Sequence, residues 1–519
     1  MTFSRSTLRA TLATMLLGGA AAAGDFYVDA VHGDDLNSGA TSDDAWQTIT
    51  HALATVGQPP IDEKHTIHVD FGVHDPALGE VFPLDVPTSI ELIGKGPGLT
   101  FIDGGGVTEH LVNMVPGLTT PPMARVEGFT LRNGAESGVY LRSEGGSIEA
   151  RLRDLRIEWV DGPGVKGLVV DGRIDAYLER VEVVHSGEGL SCWTSMHGEA
   201  GNFELEECTL ADNGSDGIRL NASASGVDLE LFRCRILRNG QSGIKADANT
   251  FGGISVHMVD SLVAGNGLDA ITANGGDTAG LSFWLERCTL ADNARYGLNA
   301  FLNTPLTLDG CILYGNQDDI SDATLPEVTL AWCDVGDGDF AGLNGNFSAD
   351  PMFRDAAAGD YRLSFGSPCC DSGTPANPTA LDLAGVQRPI DGDLDADERT
   401  DVGAFELQTL SVGRAPRLGE VMALECWGAM GNTTQIWASR MPLVSPMAST
   451  YGEFDLDRRT VRPWGTTLVG PGPPGYFLWS VPGDPTLVGT TFSIQMLTDS
   501  AAAPMGRAWT NALSFQIEP

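Results

Sequence analysis

FELEECTLADNGSDGIRL, residues 203–220, decides the fold. Apolar and polar residues alternate along it, so Phe203, Leu205, Cys208 and Leu210 share one face after a one-residue slip at Glu206–Glu207. Alternation is the signature of a half-buried strand, and no helical stripe competes with it. A short Asn-Gly turn follows at Asn213, then a second strand opening at Gly217-Ile218. The unit recurs as LELFRCRILRNGQSGIKA from Leu229, FWLERCTLADNARYGLNA from Phe283 and LTLDGCILYGN from Leu306. ISVHMVDSLVAGNGLDAI from Ile254 also fits, with Asp260 read into the cysteine slot. The turn asparagines Asn213, Asn239, Asn266, Asn293 and Asn316 are 26, 27, 27 and 23 residues apart. Such a period means stacked units sharing one core. It is too long for a hairpin and too short for a strand-helix-strand unit of roughly 30 residues.

The expected fold is therefore all-β, a coil of short strands, each stacked in parallel on its counterpart in the next coil. Weaker coils begin at Val126, Leu152 and Leu178, with turns expected at Asn133, Asp161 and Ser186. From Asn133 to Asn316 the stack spans about 34 Å at ~4.8 Å per coil. Asp44–Val56 has acidic residues ahead of an apolar-periodic run and predicts a short helix capping the open end. The repeat is lost beyond Gln408. Residues 411–519 hold five of the ten tryptophans in alternating runs with Gly/Pro turns and predict a separate β-sandwich. The expected organisation is a leader at 1–23, a solenoid with its cap at 24–407 and a sandwich at 411–519.

These repeats resemble the right-handed parallel β-helix of the pectate-lyase-like superfamily. The N-terminal part is similar to a bacterial β-helix family of unknown function. The resemblance rests on the Tyr27-Val28 opening, on Gly79, Glu80, Phe82 and Pro83 of a Gly-Glu-x-Phe-Pro motif, and on the Leu92–Gly94 turn. SPCCDSGTPANP from Ser367, with VQRPIDGDLDADERTDVGAFE to Glu406, resembles the closing segment of secreted β-helix proteins. The last domain is similar to C-terminal modules of planctomycete-like secreted proteins. The resemblance implies the fold and is silent on activity, because this fold hosts lyases, hydrolases and adhesins. The chain lacks the Arg-x-Pro-x-x-Arg pattern of pectate lyases and the Asn-Thr-Asp, paired-Asp, His-Gly and Arg-x-Lys set of polygalacturonases.

Arg5 and Arg9, the apolar run Leu12–Leu17 and Ala20–Ala23 read as an export signal. The run is too short for a membrane anchor, which needs ~20 residues. A secreted or cell-surface monomer is expected. The formal net charge of −38 excludes a general nucleic-acid surface. Nine cysteines are present. Cys208, Cys234, Cys288 and Cys311 fall in equivalent inward slots and predict a buried ladder of thiols. Cys192, Cys333, Cys369, Cys370 and Cys426 are the disulfide candidates.

If Ile218, Ile244, Leu268 and Leu298 point inward, the outward column is Ser191, Arg219, Lys245, Asp269 and Asn299. A second column is Trp193, Asn221, Asp247, Ile271 and Phe301. Arg219, Lys245, Asp247 and Asp269 then form the candidate catalytic patch, with Trp193 and Phe301 as sugar platforms. In a polysaccharide lyase Lys245 or Arg219 would be the base and the aspartates would hold Ca²⁺. In a glycoside hydrolase Asp247 and Asp269 would be the carboxylate pair. The alternative is a charged face of ordinary ion pairs, each worth about 1 kcal/mol or less. Asp391, Asp393, Asp395, Asp397 and Asp401 alternate as in the start of a Ca²⁺ loop, though Ala396 and Val402 replace its Gly and Glu. His32, His51, His65, His68 and His74 match no metal spacing. Two readings follow: a non-catalytic protein that binds glycans or another extracellular surface, and a lyase or hydrolase using the Arg/Lys/Asp patch.

Overall fold

A computed structural model describes residues 24–519 except 57–62, 107–108, 117–122, 145, 250, 276–279, 301–303, 322–327, 376–379, 393–398, 415, 427–432 and several positions between 442 and 506. The leader lies outside the described residues. The chain forms the expected parallel β-solenoid. A coil has three strands, such as Ala200–Glu206, Thr209–Ala211 and Ile218–Ala222, which repeat as Gly226–Phe232, Arg235–Leu237 and Ile244–Ala248. Stacking generates three faces. The first two form one 20-stranded sheet and the third a 10-stranded sheet running from Leu84–Pro87 to Asp318–Ile320. All register pairs on the third face are parallel: Leu190, Ile218, Ile244, Ile271 and Leu298 stand one above another and are buried. Each such side chain contributes about 1.5–3 kcal/mol by leaving water.

Two corners shape each coil. Between the first and second faces one residue per coil is left-handed: Gly128, Asp154, Arg180, Glu207, Arg233, Asp260, Arg287, Gly310 and Trp332. The slip at Glu206–Glu207 is this corner. A non-glycine residue there costs roughly 1–2 kcal/mol. From Asp154 to Arg287 the corner alternates in charge, and Arg180–Asp154 (2.7 Å), Arg233–Glu207 (3.2 Å) and Arg287–Asp260 (2.9 Å) pair along it. The cysteine slot is the next residue, so Ser261, not Asp260, fills it in the fifth repeat. Its Oγ accepts from the N–H of Cys234 at 2.9 Å. The period-two count across the kink put the slot one place early.

At the second corner the turn asparagines are linked, and all but the half-buried Asn316 are buried. Asn213 Nδ2 donates to Asn239 Oδ1 (3.0 Å), Asn239 to Asn266 (3.0 Å), Asn266 to Asn293 (2.8 Å) and Asn293 to Asn316 (3.0 Å). Of the earlier turn residues, Ser186 joins this ladder, its N–H donating to Asn213 Oδ1 at 3.0 Å. The left-handed residue is the one before each asparagine, as at Asp212, Arg238 and Asp292. The Gly-Ile glycines answer a different need: a Cβ at Gly217 would lie 2.5 Å from Ile236 and at Gly243 2.4 Å from Val263.

The N-terminal end is closed by a helix, Ile49–Thr55, inside the stretch expected to cap it. Glu80 of the Gly-Glu-x-Phe-Pro motif is its anchor. The carboxylate accepts from the N–H groups of buried Ile49 (2.7 Å) and half-buried Thr50 (2.8 Å) and meets buried His74 Nδ1 at 2.9 Å. A carboxylate at a helix N-terminus satisfies orphan donors and complements the dipole.

Residues after the last coil return along the second face. Tyr361, Leu383, Ala404 and Phe405 pack on Leu262, Ala264 and Ala291. Arg388, fully buried, donates to Glu406 (3.0 Å) and to the carbonyls of Gly403 (2.7 Å) and Asp401 (3.1 Å), and lies 3.4 Å from Asp260. Beyond it, antiparallel sheets pack face to face on Leu410, Met422, Leu424, Ile436, Ile494 and Met496, the β-sandwich.

All nine cysteines are buried thiols. Cys333, grouped above with the disulfide candidates, instead extends the ladder, its Sγ accepting from the N–H of Cys311. Its coil is only 22 residues long, so the fixed-period comparison passed over it.

Candidate functional site

The third face carries most of the predicted patch. In register along it lie Tyr140, Lys166, Ser191, Arg219, Lys245, Thr272 and Asn299. Two residues further on lie Trp193, Asn221, Asp247 and Asn274. Asp269 and Ile271 therefore leave the columns assigned to them, replaced by Thr272 and Asn274. The inward residue of that coil is Ile271, 1% exposed, while Leu268 is 37% exposed. The glycine that marks the inward position in other coils is Ala270 here, so the count started three residues early.

Arg219, Lys245 and Asp247 do come together, with Trp193 beside them. The Arg219 guanidinium lies 5.8 Å from the Trp193 ring centre, 3.6 Å from Glu188 and 4.0 Å from Asp216. Lys245 Nζ is 3.9 Å from Asp247, whose Oδ1 accepts from Asn274 Nδ2 at 2.7 Å. Trp193, 45% exposed, donates through Nε1 to Ser191 at 3.1 Å. Trp193, Asn221, Asp247, Asn249 and Asn274 line a shallow cavity of about 360 Å³. Two buried donors beside it, Arg219 Nε and Asn221 Nδ2, have no hydrogen-bond partner among the described residues. A buried donor left unpaired costs about 1–3 kcal/mol, so a side-chain shift that brought either one against a ligand oxygen would be stabilised.

Glu188 and Asp216 were missed by the sequence reading. They sit two residues before the inward Leu190 and Ile218, on the near side of the glycine from which the columns were counted. Burial pushes both carboxyls above the usual range; Asp216 has one oxygen on the Ser242 N–H (3.0 Å) and the other without a hydrogen bond. Asp269 stands equivalent to Asp216 two coils on. Burial raises it too, but hydrogen bonds from Arg295 (two at 2.7 Å), Thr272 (2.6 Å) and Asn299 (3.0 Å) outweigh that and hold it below the usual range. It is fully buried and faces this network, not the patch. Phe301 lies outside the described residues.

Of the acidic loop, Asp393, Asp395 and Asp397 lie outside the described residues, and Asp391 and Asp401 are described. Asp401 is fully buried and accepts from the N–H groups of Asp371 (2.9 Å) and Leu407. Cys370, Asp371 and Asp401 present ligand-type atoms within 4.8 Å of one another, and Glu109, His110 and Glu136 do likewise. At the latter, Lys166 is already bonded to Glu136 and fills the place of a cation.

Among the described residues no helix is long and apolar enough to cross a membrane. Residues 31–256 match a family model described as a protein of unknown function, DUF1565. No curated protein matches. Among solved structures the chain is similar to pectate lyase Pel9A, at 14% identity and a TM-score of 0.43 over 75% of this chain and 98% of that one. It is also similar to a lacto-N-biosidase from Eubacterium ramulus, at 13% identity and 0.36 over 63% and 68%. A third is the enzymatically active domain of tailspike protein 2 of bacteriophage CBA120, at 11% identity and 0.34 over 91% and 74%.

Proposed function

We propose that this chain is an exported protein that binds polysaccharide on its third face. The observation that carries the reading is the exposed Trp193 ring beside two unpaired buried donors, Arg219 Nε and Asn221 Nδ2. A sugar ring stacks on an aromatic face while its hydroxyl or carboxylate oxygens take fixed donors, the mix of apolar surface and few convergent polar groups typical of ligand sites. The amide and carboxylate row Asn221–Asp247–Asn274 continues the contact along the solenoid axis. Lys245 and Arg219 are each close to a carboxylate, so they serve as positioned donors and not as a net positive field. The leader at 1–23 directs the chain outside the cell, and Ca²⁺ in the 391–401 loop would stiffen the closing segment.

One observation favours a second reading, glycoside hydrolysis. Glu188 and Asp216, on adjacent coils, are both driven toward the protonated form by burial, as a general acid requires.

The test is retention and turnover on a panel of neutral and uronate polysaccharides by the mature protein with Ca²⁺. Binding that falls at least tenfold in Trp193→Ala and Arg219→Ala, without new reducing ends or unsaturated products, supports the first reading. Turnover abolished by Glu188→Gln supports the second. Retention of no polymer, or retention unchanged in both variants, refutes the site.

A further inference from the structure

The first face carries a separate feature. Tyr177, Glu204, Glu230, His257 and Trp284 stand in register on five successive coils and point outward. Asp175, Asn202, Asp228 and Ser255 form the row beside it. Together with Arg173, and with Trp284 just beyond His257, these side chains line a groove of about 360 Å³. Tyr177 closes one end. At the other, Trp284, 51% exposed, stacks on His257 with ring centres 4.8 Å apart. The two aromatic ends are roughly 19 Å apart at ~4.8 Å per coil.

Three carboxylates of this groove stand without a partner cation among the described residues. On the same sheet Glu179 is matched with Arg153 and Arg180, and Glu158 and Glu182 with Arg156; within the groove itself Asp175 is matched with Arg173. Among the described residues, Glu204, Asp228 and Glu230 have neither an ion pair nor a side-chain hydrogen bond, and Arg151 is the one further cation acting on Glu204. Burial and the adjacent Glu230 and Glu206 push the Glu204 carboxyl up, so an incoming positive charge relieves an existing repulsion. Aromatic faces add to this, since a cation over a Trp or Tyr ring gains about 0.5–2 kcal/mol.

From the rings, the groove and the charge complementarity we infer that the first face binds an amine-bearing polysaccharide, a polymer of glucosamine type, between Tyr177 and Trp284. Its ammonium groups take Glu204, Glu230 and Asp228 in charge-assisted hydrogen bonds, and its ring faces lie on the two aromatic side chains. A basic peptide is a poorer fit. Every strand under the groove is hydrogen-bonded on both sides, so no open edge offers main-chain partners for strand addition. The site is independent of Trp193 and stands or falls separately from the third-face reading.

The experiment is calorimetric titration of the mature protein with glucosamine oligomers of increasing length, at low salt and a pH where the amines are charged. Fully N-acetylated oligomers and oligolysine serve as comparisons. Affinity should rise with length, fall at least tenfold on N-acetylation, weaken with salt, and fall at least tenfold in Trp284→Ala and in Glu204→Gln/Glu230→Gln. Gln241→Ala, exposed at a corner away from both faces' aromatic rings, should leave it unchanged. All these side chains are on the surface, and circular dichroism checks that the variants fold. No binding, equal affinity for acetylated oligomers, equal affinity for oligolysine, or indifference to both first-face variants would overturn the assignment.

Discussion

Asn239→Ala tests what holds the coils together at the second corner. Asn239 makes four hydrogen bonds in a site 1% exposed: Oδ1 accepts from Asn213 N (3.2 Å) and Nδ2 (3.0 Å), and its own Nδ2 donates to Leu210 O (3.1 Å) and Asn266 Oδ1 (3.0 Å). Truncation removes all four and leaves their partners on the two flanking coils unpaired. At about 1 kcal/mol net per bond, with a further 1–3 kcal/mol where a buried group stays unpaired, the expected loss is about 4–6 kcal/mol. Asn316, the last rung, also makes four such contacts but is half-buried. Water can replace them, so Asn316→Ala should cost about 1–2 kcal/mol. Gln241→Ala, exposed in the same turn as Asn239, should stay within about 0.5 kcal/mol. Urea unfolding followed by far-ultraviolet circular dichroism would rank the three. Equal losses for Asn239 and Asn316, or a loss under about 1 kcal/mol for Asn239, would refute the account of the ladder as a load shared by buried, mutually satisfied amides.

Other outcomes are expected. Burial pushes Asp334 up to about 6, above its unfolded value, so the folded state binds more protons between about pH 4 and 6 and stability falls as pH rises through that window. Asp334→Asn should flatten this part of the stability–pH curve by about 2 kcal/mol, and an unchanged curve would count against it. Ca²⁺ should raise the Tm of the mature protein, with the shift lost in Asp393→Ala/Asp395→Ala; a shift that survives in the variant would place the ion elsewhere. The ladder thiols Cys208, Cys234, Cys288, Cys311 and Cys333 should resist alkylation in the native protein and react after unfolding without reductant. Mass spectrometry showing any of them in a disulfide would break the ladder.

The solenoid was legible in the sequence because its physics is local and repeated. A buried column needs the same kind of side chain every coil, so Ile218, Ile244 and Leu298, the cysteine slots and the turn asparagines recur at nearly constant spacing. The capping helix was legible for a similar reason, as apolar periodicity behind acidic residues. Register was less so. Where a repeat replaced its marker, as Ala270 for glycine, counting slipped by three residues and put Asp269 on the surface instead of in its buried network with Arg295. A left-handed residue at each corner also breaks the period of two, which is why Asp260 stood in for Ser261.

Hydrophobic periodicity and turn chemistry act over a few residues, so the class of fold follows from the order of amino acids alone. That order also brought Arg219, Lys245, Asp247 and Trp193 to one face, since their coils keep the marker. Which charges meet is set by the stacked coils. Glu188 and Asp216 reach Arg219, Arg388 reaches back to the corner aspartate Asp260, and Glu80 caps a helix thirty residues earlier in the chain. Those contacts depend on the stacking of coils and on how the closing segment folds back, and neither distance is written in any one repeat.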